Sequence, residues 1–424
     1  MGARGALVVK GRLILAAPFS GAGKTTTTFA LLGALIRRGF DVRPFKTGPD
    51  FVDGRFHEAV GAPRSHNLDL WLLGSKAKGL LARYEGSCAL IEGVMGLYDG
   101  LGATSRCSTA ELAHLTGTPV VLVVPCRGIG ASARALVEGY VNHQPGLVKG
   151  LFLSQVSGAA HAKLLRQVLS PLGLPIVGWL PRIPEAELAH RGIGLEAPED
   201  LHRRAQLLVD ALDAGLEAGA LASVASMAQR LEEEVWPSLP LKDKTIARLE
   251  GLGFSGDYAA GLDLLEESGA KVVTFRPGEK VPDADLLWMR AGGVLGDLKT
   301  LPRGWAQSLS TFRGKVWAEG LGAALCCRQA SFDDGPLPLA GLLESDVVPL
   351  SGRRAFGYGT VLGEHPWPSH QLRDYDLTEH NVQERRESTG QLRLAGWRDT
   401  TLRAFLAHGH PLSQIDELRD WLSA

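Results

Sequence analysis

An α/β protein of two domains is what the sequence predicts, and three features carry that prediction. Short, wholly apolar runs alternate with helical patterns along the first half, as in a parallel sheet covered on both faces. A Gly-Lys-Thr loop joins the first of these runs to the first helix. A second, shorter strand–helix series then begins past a proline-bearing stretch at 236–244. At 424 residues the chain exceeds one ordinary core. Domains at 1–235 and 245–424, with a linker between them, follow.

The elements come in order. "RLILAAP" (12–18), "CALIEGV" (88–94), "PVVLVVP" (119–125), "GLFLSQV" (150–156) and "PIVGWLP" (175–181) read as buried strands. "TTTTFALLGALIRRG" (25–39) and "STAELAHLTG" (108–117) read as helices between them, and 201–235 as one long Ala/Leu/Glu helix. In the second half "KTIARLEGLGF", "AKVVTFRP", "ADLLWMRAGG" and "GKVWAEG" predict four strands of a smaller doubly wound sheet. The tail from 351 is less regular.

Charge and cysteine content exclude some functions. Lys and Arg total 45 against 46 Asp and Glu, so no bulk attraction to nucleic acid or a membrane surface is expected. No apolar run reaches the roughly 18 residues of a membrane span, and no signal-peptide pattern opens the chain. The five cysteines lack CxxC spacing and read as reduced thiols of a cytoplasmic protein.

The loop "SGAGKTTTT" (20–28) lies between a strand and a helix, the setting a phosphate loop needs. Backbone N–H groups from Ser20, Gly21, Ala22, Gly23, Lys24, Thr25 and Thr26 can wrap phosphate oxygens at the helix N-terminus. Lys24 would reach the terminal phosphates of ATP, and the Thr25 hydroxyl would bind Mg²⁺. Pro18 stands where the strict pattern has its first glycine. Glu92 ends an apolar strand, the usual place for a second acidic metal ligand. "PFKTGPDFVDGRFH" (44–57) brings Lys46, Asp50 and Asp53 on an expected loop at the ligand-binding edge of the sheet.

Together with "HNLDLW" (66–71), "IEGVMGLYDG" (91–100), "STAELAHLTGTPVVLVV" (108–124) and "GWLPRIPE" (178–185), these stretches resemble the cobyrinic acid a,c-diamide synthase family. The resemblance extends through "SGAKVVTFRPGEKVPDADLLWMRAGG" in the second half. It implies a dethiobiotin-synthetase-like ATP-binding domain joined to a class I glutamine-amidotransferase-like domain. It also implies a chemistry in which ATP phosphorylates a tetrapyrrole carboxylate and ammonia displaces the phosphate. By the same resemblance Lys24, Lys46, Asp50, Asp53 and Glu92 serve catalysis, and Thr25, Asp50 and Glu92 hold metal. Phe51, Val52, Asn67 and Asp69 then face substrate.

Departures from that family are equally specific. The family carries a cysteine nucleophile at a bend reading "AECGG"; here "AEGLG" puts Gly320 in its place. Cys326 and Cys327 follow further along and read as core thiols. "HGH" (408–410) loosely echoes the family's terminal histidines, which makes His408 the partner of a degenerate glutaminase site, or half of a plain surface pair. "SHQLRDYD" stands where the family has a histidine-rich stretch. Pro125, "LSQVSG" (153–158) and Gly192 depart from motifs that handle the base and substrate. The expectation is an ATP- and Mg²⁺-dependent ligase using ammonia from outside its own second domain. The alternative is a non-catalytic, nucleotide-dependent tetrapyrrole carrier or assembly protein. The expected partners are the tetrapyrrole, a separate glutaminase or tetrapyrrole enzyme, and a second copy of the chain.

Overall fold

The computed structural model describes residues 10–50, 53–187, 200–255, 257–352 and 354–424. Two compact units emerge, one of residues up to Leu70 with Gly74–Val235, the other of Trp71–Leu73 with Trp236–Ala424. Among the described residues no helix is long and apolar enough to cross a membrane.

The first unit is built on seven parallel strands. They are β1 (Gly11–Ala16), β2 (Val42–Thr47), β3 (His66–Leu68), β4 (Cys88–Glu92), β5 (Val120–Pro125), β6 (Val148–Val156) and β7 (Ile176–Pro181). Their order is β3-β2-β4-β1-β5-β6-β7. β1 lies between β4 and β5, so its C-terminal edge opens at the point where the strand order reverses, the place ligands occupy in such sheets. Strands buried on both faces explain the unbroken apolar runs: Leu13, Ile14 and Leu15 are all fully buried.

Helix α1 (Lys24–Arg37) follows β1 and packs by Phe29 edge-on against Phe56 of α2 (Asp53–Ala59), rings 6.2 Å apart. Such an aromatic pair adds about 0.5–1.5 kcal/mol to its area burial and fixes α2 over α1. The stretch 44–57 is thus less of a loop than expected. Lys46 lies within β2 and Asp53 opens α2, because "VRPF" continues a buried strand and "FHEA" has an apolar face to pack.

The long helix expected over 201–235 is instead two, Leu201–Asp213 and Ala218–Ala225. The break falls at Gly215, whose backbone presses on Trp179 so closely that a Cβ there would lie 2.3 Å from the Trp179 carbonyl oxygen. Helical propensity in that alanine-rich run loses to this tertiary contact.

In the second unit, β8 (Thr245–Leu249), β9 (Phe254–Ser255), β10 (Lys271–Phe275), β11 (Leu286–Gly292) and β12 (Lys315–Gly320) form its first part. β10, β8, β11, β12 and Leu402–Phe405 run parallel in that order. The irregular tail then extends the same sheet in antiparallel fashion through Leu392–Arg398, Val382–Arg386, Ala355–Val361 and Trp367–Arg373. Short strands with charged and glycine residues between them carry too little periodicity to reveal this.

Candidate functional site

Gly23 caps α1 with φ 94°, a left-handed conformation that glycine adopts without strain, and Gly21 has φ 82°. Together they let the loop 17–23 turn tightly into the helix. Ala22 packs into the core while Ser20 and Gly21 are exposed. The back of the loop is held by a neighbouring strand and helix: Ser154 Oγ donates to the Ala22 carbonyl at 2.8 Å, and Tyr140 Oη, on the helix Ser132–His143, donates to the Pro18 carbonyl at 2.8 Å. Proline at position 18 is tolerated because its carbonyl, not its missing N–H, is what the fold uses here.

Three of the expected residues meet at one carboxylate. Glu92, at the end of β4, is fully buried. Its Oε1 accepts from the Thr25 hydroxyl and from Lys46 Nζ at 3.0 Å. Its Oε2 is bonded by His57 Nε2 at 3.0 Å, and His57 Nδ1 meets Ser65 Oγ at 2.8 Å. Burial alone would raise this carboxyl's pKa; Lys46, then His57 and Thr25, outweigh it and hold the group well below the usual carboxylate range.

Lys24 is not solvated, as an empty loop would suggest. It is only 7% exposed and donates to the carbonyls of Met95 and, at 3.5 Å, Phe19. The ammonium is therefore held against the backbone at residues 19 and 95. Thr26 faces the opposite side, where it joins Gly23, Arg127, Ser154, Gln155 and Arg182 around a pocket of about 120 Å³. Gln155, with φ 56°, turns its amide to the Gly21 carbonyl at 3.4 Å, so this departure from the family pattern braces the loop.

The remaining expected residues are placed differently. Asn67 is buried, and its amide donates to the carbonyls of Gly48 and Asp50 at 3.0 and 2.8 Å. It pins the 48–50 turn, with its amide hydrogens spent on backbone carbonyls. Asp69 is 1% exposed. Asp50 is half-buried, and within the expected metal set Thr25 and Glu92 are joined directly by a hydrogen bond. Phe51 and Val52 lie outside the described residues, as do the Asp53 side chain and Gly192. His57 lies within the 44–57 stretch, and its burial against Glu92, visible only in the fold, marks it.

Magnesium favours oxygen ligands and keeps several waters, so a buried glutamate beside a threonine hydroxyl is a donor set that fits it. The Thr25 Oγ1–Glu92 Oε1 hydrogen bond shows that both oxygens already converge on one point.

In the second unit the bend after β12 has Gly320 at φ 58°, ψ −124°, the strained geometry in which a strand-to-helix turn lifts a nucleophile. A Cβ at Gly320 would lie 2.4 Å from the Ala291 carbonyl oxygen and 2.5 Å from His408 Nε2. The imidazole occupies volume that a side chain at this position would need. His408 and His410 are both buried, not a surface pair. Neighbouring Glu319 is fully buried and accepts from Arg290 Nη2 at 2.8 Å, Trp317 Nε1 at 2.9 Å, Gln414 Nε2 at 2.8 Å and the Gly409 N–H at 3.2 Å. Burial opposes its charge, but Arg290, with His408 and Gln414, keeps its pKa below the ordinary value. Cys326 and Cys327 are core residues; burial pushes the first thiol well up and the second to about 12, which leaves neither as a ready thiolate.

Comparison with known proteins agrees with this geometry. Residues 13–195 match the family described as the CobQ/CobB/MinD/ParA nucleotide binding domain. The hydrogenobyrinate a,c-diamide synthase of Rhodobacter capsulatus is 37% identical over 292 residues, 66% of this chain and 67% of that one. The cobyrinate a,c-diamide synthase of Thermoplasma acidophilum is 33% identical over 341 residues, 76% of each chain. The hydrogenobyrinate a,c-diamide synthase of Streptomyces coelicolor is 32% identical over 399 residues, 82% of this chain and 81% of that one. On this evidence the chain belongs to the cobyrinate and hydrogenobyrinate a,c-diamide synthase family.

Proposed function

We propose that this protein is an ATP-dependent ligase that amidates carboxylate side chains of a corrin-type tetrapyrrole with ammonia supplied from outside its own second unit. A substrate carboxylate oxygen attacks the γ-phosphorus of ATP, and ADP leaves with the bond electrons. Ammonia then attacks the acyl-phosphate carbonyl, inorganic phosphate departs, and the nitrogen loses a proton to give the amide. Phosphoryl transfer calls mainly for positioning and charge neutralisation. Lys24 and Lys46 offer two cations to the phosphates, Thr25 and Glu92 would hold Mg²⁺, and the loop N–H groups would orient the triphosphate. Magnesium, when bound, would screen the phosphate charges.

The observation that carries the reading is the contrast at Gly320: the bend is kept, but the nucleophile is gone and its space is filled by His408. The identity of the tetrapyrrole follows only as a class, from what the relatives act on. A separate glutaminase or a second copy of this chain fits the same reading as a partner.

The test is amide formation with ATP, Mg²⁺ and a cobyrinate-type acceptor, offered either ammonium or glutamine. Product with ammonium and none with glutamine is expected. Lys24→Ala should lower turnover about 10²- to 10³-fold, as loss of a charge-stabilising donor does, with the fold retained. Nucleotide and tetrapyrrole binding without amide under any nitrogen source would replace this reading with that of a carrier.

A further inference from the structure

We propose that His57 is a positioning residue for the metal site, one that sets a preference for magnesium over calcium. By holding Oε2 of Glu92 it restricts a cation to Oε1, the oxygen that Thr25 and Lys46 already share. The inference rests on reading Thr25 and Glu92 as the Mg²⁺-binding pair.

The placement of His57 is overdetermined. Phe56 beside it is fully buried against Phe29, which fixes the rotation of α2 and turns the next residue toward β4. The imidazole is itself fully buried and spans two short contacts, 2.8 Å to Ser65 Oγ and 3.0 Å to Glu92 Oε2. An ionised carboxylate only accepts, so Nε2 is the donor to Glu92, while Nδ1 is tied to the Ser65 hydroxyl. A histidine oriented this way by a second partner holds its acceptor in one rotamer.

The two oxygens of Glu92 thus have different tasks. Oε1 faces Thr25 and Lys46, and Oε2 is committed to the imidazole. Magnesium coordinates octahedrally and takes few protein oxygens, whereas calcium accepts six to eight oxygens and often chelates both oxygens of one carboxylate. Such chelation here would have to displace or share the His57 N–H. That N–H therefore works against calcium while leaving the single-oxygen mode open.

Calorimetric titration of the full chain with Mg²⁺ and, separately, Ca²⁺, in the presence of a non-hydrolysable ATP analogue, tests this without turnover. His57→Leu frees Oε2, and the affinity ratio of Mg²⁺ to Ca²⁺ should fall by about tenfold or more, in keeping with the loss of an outer partner of a metal ligand. His57→Gln, whose amide N–H can reach the same oxygen, should restore most of the ratio. Ser65→Ala should lower it less than His57→Leu does. An unchanged ratio in His57→Leu, or equal losses for both cations, overturns the inference; should that variant fail to fold, an unchanged ratio in Ser65→Ala does so. A wild-type chain that binds neither cation with nucleotide fails the nucleotide reading itself, whereas wild-type binding with an unmoved ratio fails this inference alone.

Discussion

Glu92 and Glu319 invite comparison. Each lies at or next to the C-terminal end of a strand in a parallel array, each is fully buried, and each has its pKa lowered by neighbours that outweigh desolvation. Their partners differ in kind. Glu92 is met by a hydroxyl, an imidazole and an ammonium, groups that can exchange donor and acceptor roles, shift a proton or turn toward a ligand. Glu319 is met by a guanidinium, an indole, a carboxamide N–H and a backbone N–H, which act here as fixed donors. The first arrangement leaves room for chemistry. The second is a clasp, and with Gly320 beside it the bend has become a structural joint.

The same substitution at both glutamates separates these roles. Glu319→Gln places an N–H₂ against donors only and strands Arg290, which cannot give up its proton, so a loss of about 3–5 kcal/mol is expected. Glu92→Gln can be absorbed by a turned hydroxyl, the other histidine tautomer and a neutral Lys46, at a cost of about 1 kcal/mol, with turnover lost instead. Urea unfolding of the two variants measures the difference; equal losses would erase the distinction.

Restoring the family's nucleophile should not restore its reaction. Gly320→Cys forces a Cβ against the Ala291 carbonyl and the His408 ring at a positive φ, and should destabilise by about 1–3 kcal/mol. No glutamate release from glutamine is expected. Glutaminase activity in this variant would mean that the bend still has a working pocket behind it.

The smallest effect concerns acid. His370, buried in the second unit, has its pKa pulled from the ordinary 6.5 down to about 3, chiefly by burial, then by His408 and Arg393. The unfolded chain takes that proton first, so stability of this unit falls as pH drops from about 6.5 toward 3. Glu92 has the opposite timing: its depressed pKa contributes fully above the ordinary 4.5 and is lost only below it. The second unit should therefore weaken first between pH 6.5 and 4.5. Tryptophan fluorescence reports this, because eight of the nine tryptophans belong to the second unit and Trp179 to the first. His370→Phe should flatten the slope in that window.

Much of the first unit was legible in the sequence because its signals are local. A strand buried on both faces must be apolar throughout, and a phosphate loop needs glycines at fixed offsets, as Gly21 and Gly23 show. The antiparallel extension was not legible, since Phe356 and Leu394 sit exposed on strands whose order depends on partners far along the chain. The break at Gly215 likewise needed Trp179 to be in place.

By itself the sequence determined the strand–loop–helix frame, the cations Lys24 and Lys46, and the loss of a thiol at Gly320, because each depends on residue type and spacing. Only the tertiary structure decided that His57 holds Glu92, that Asn67 binds backbone, and that His408 fills the vacated space. Those outcomes depend on which buried donor reaches which acceptor, and burial and direction are settled by packing between distant segments.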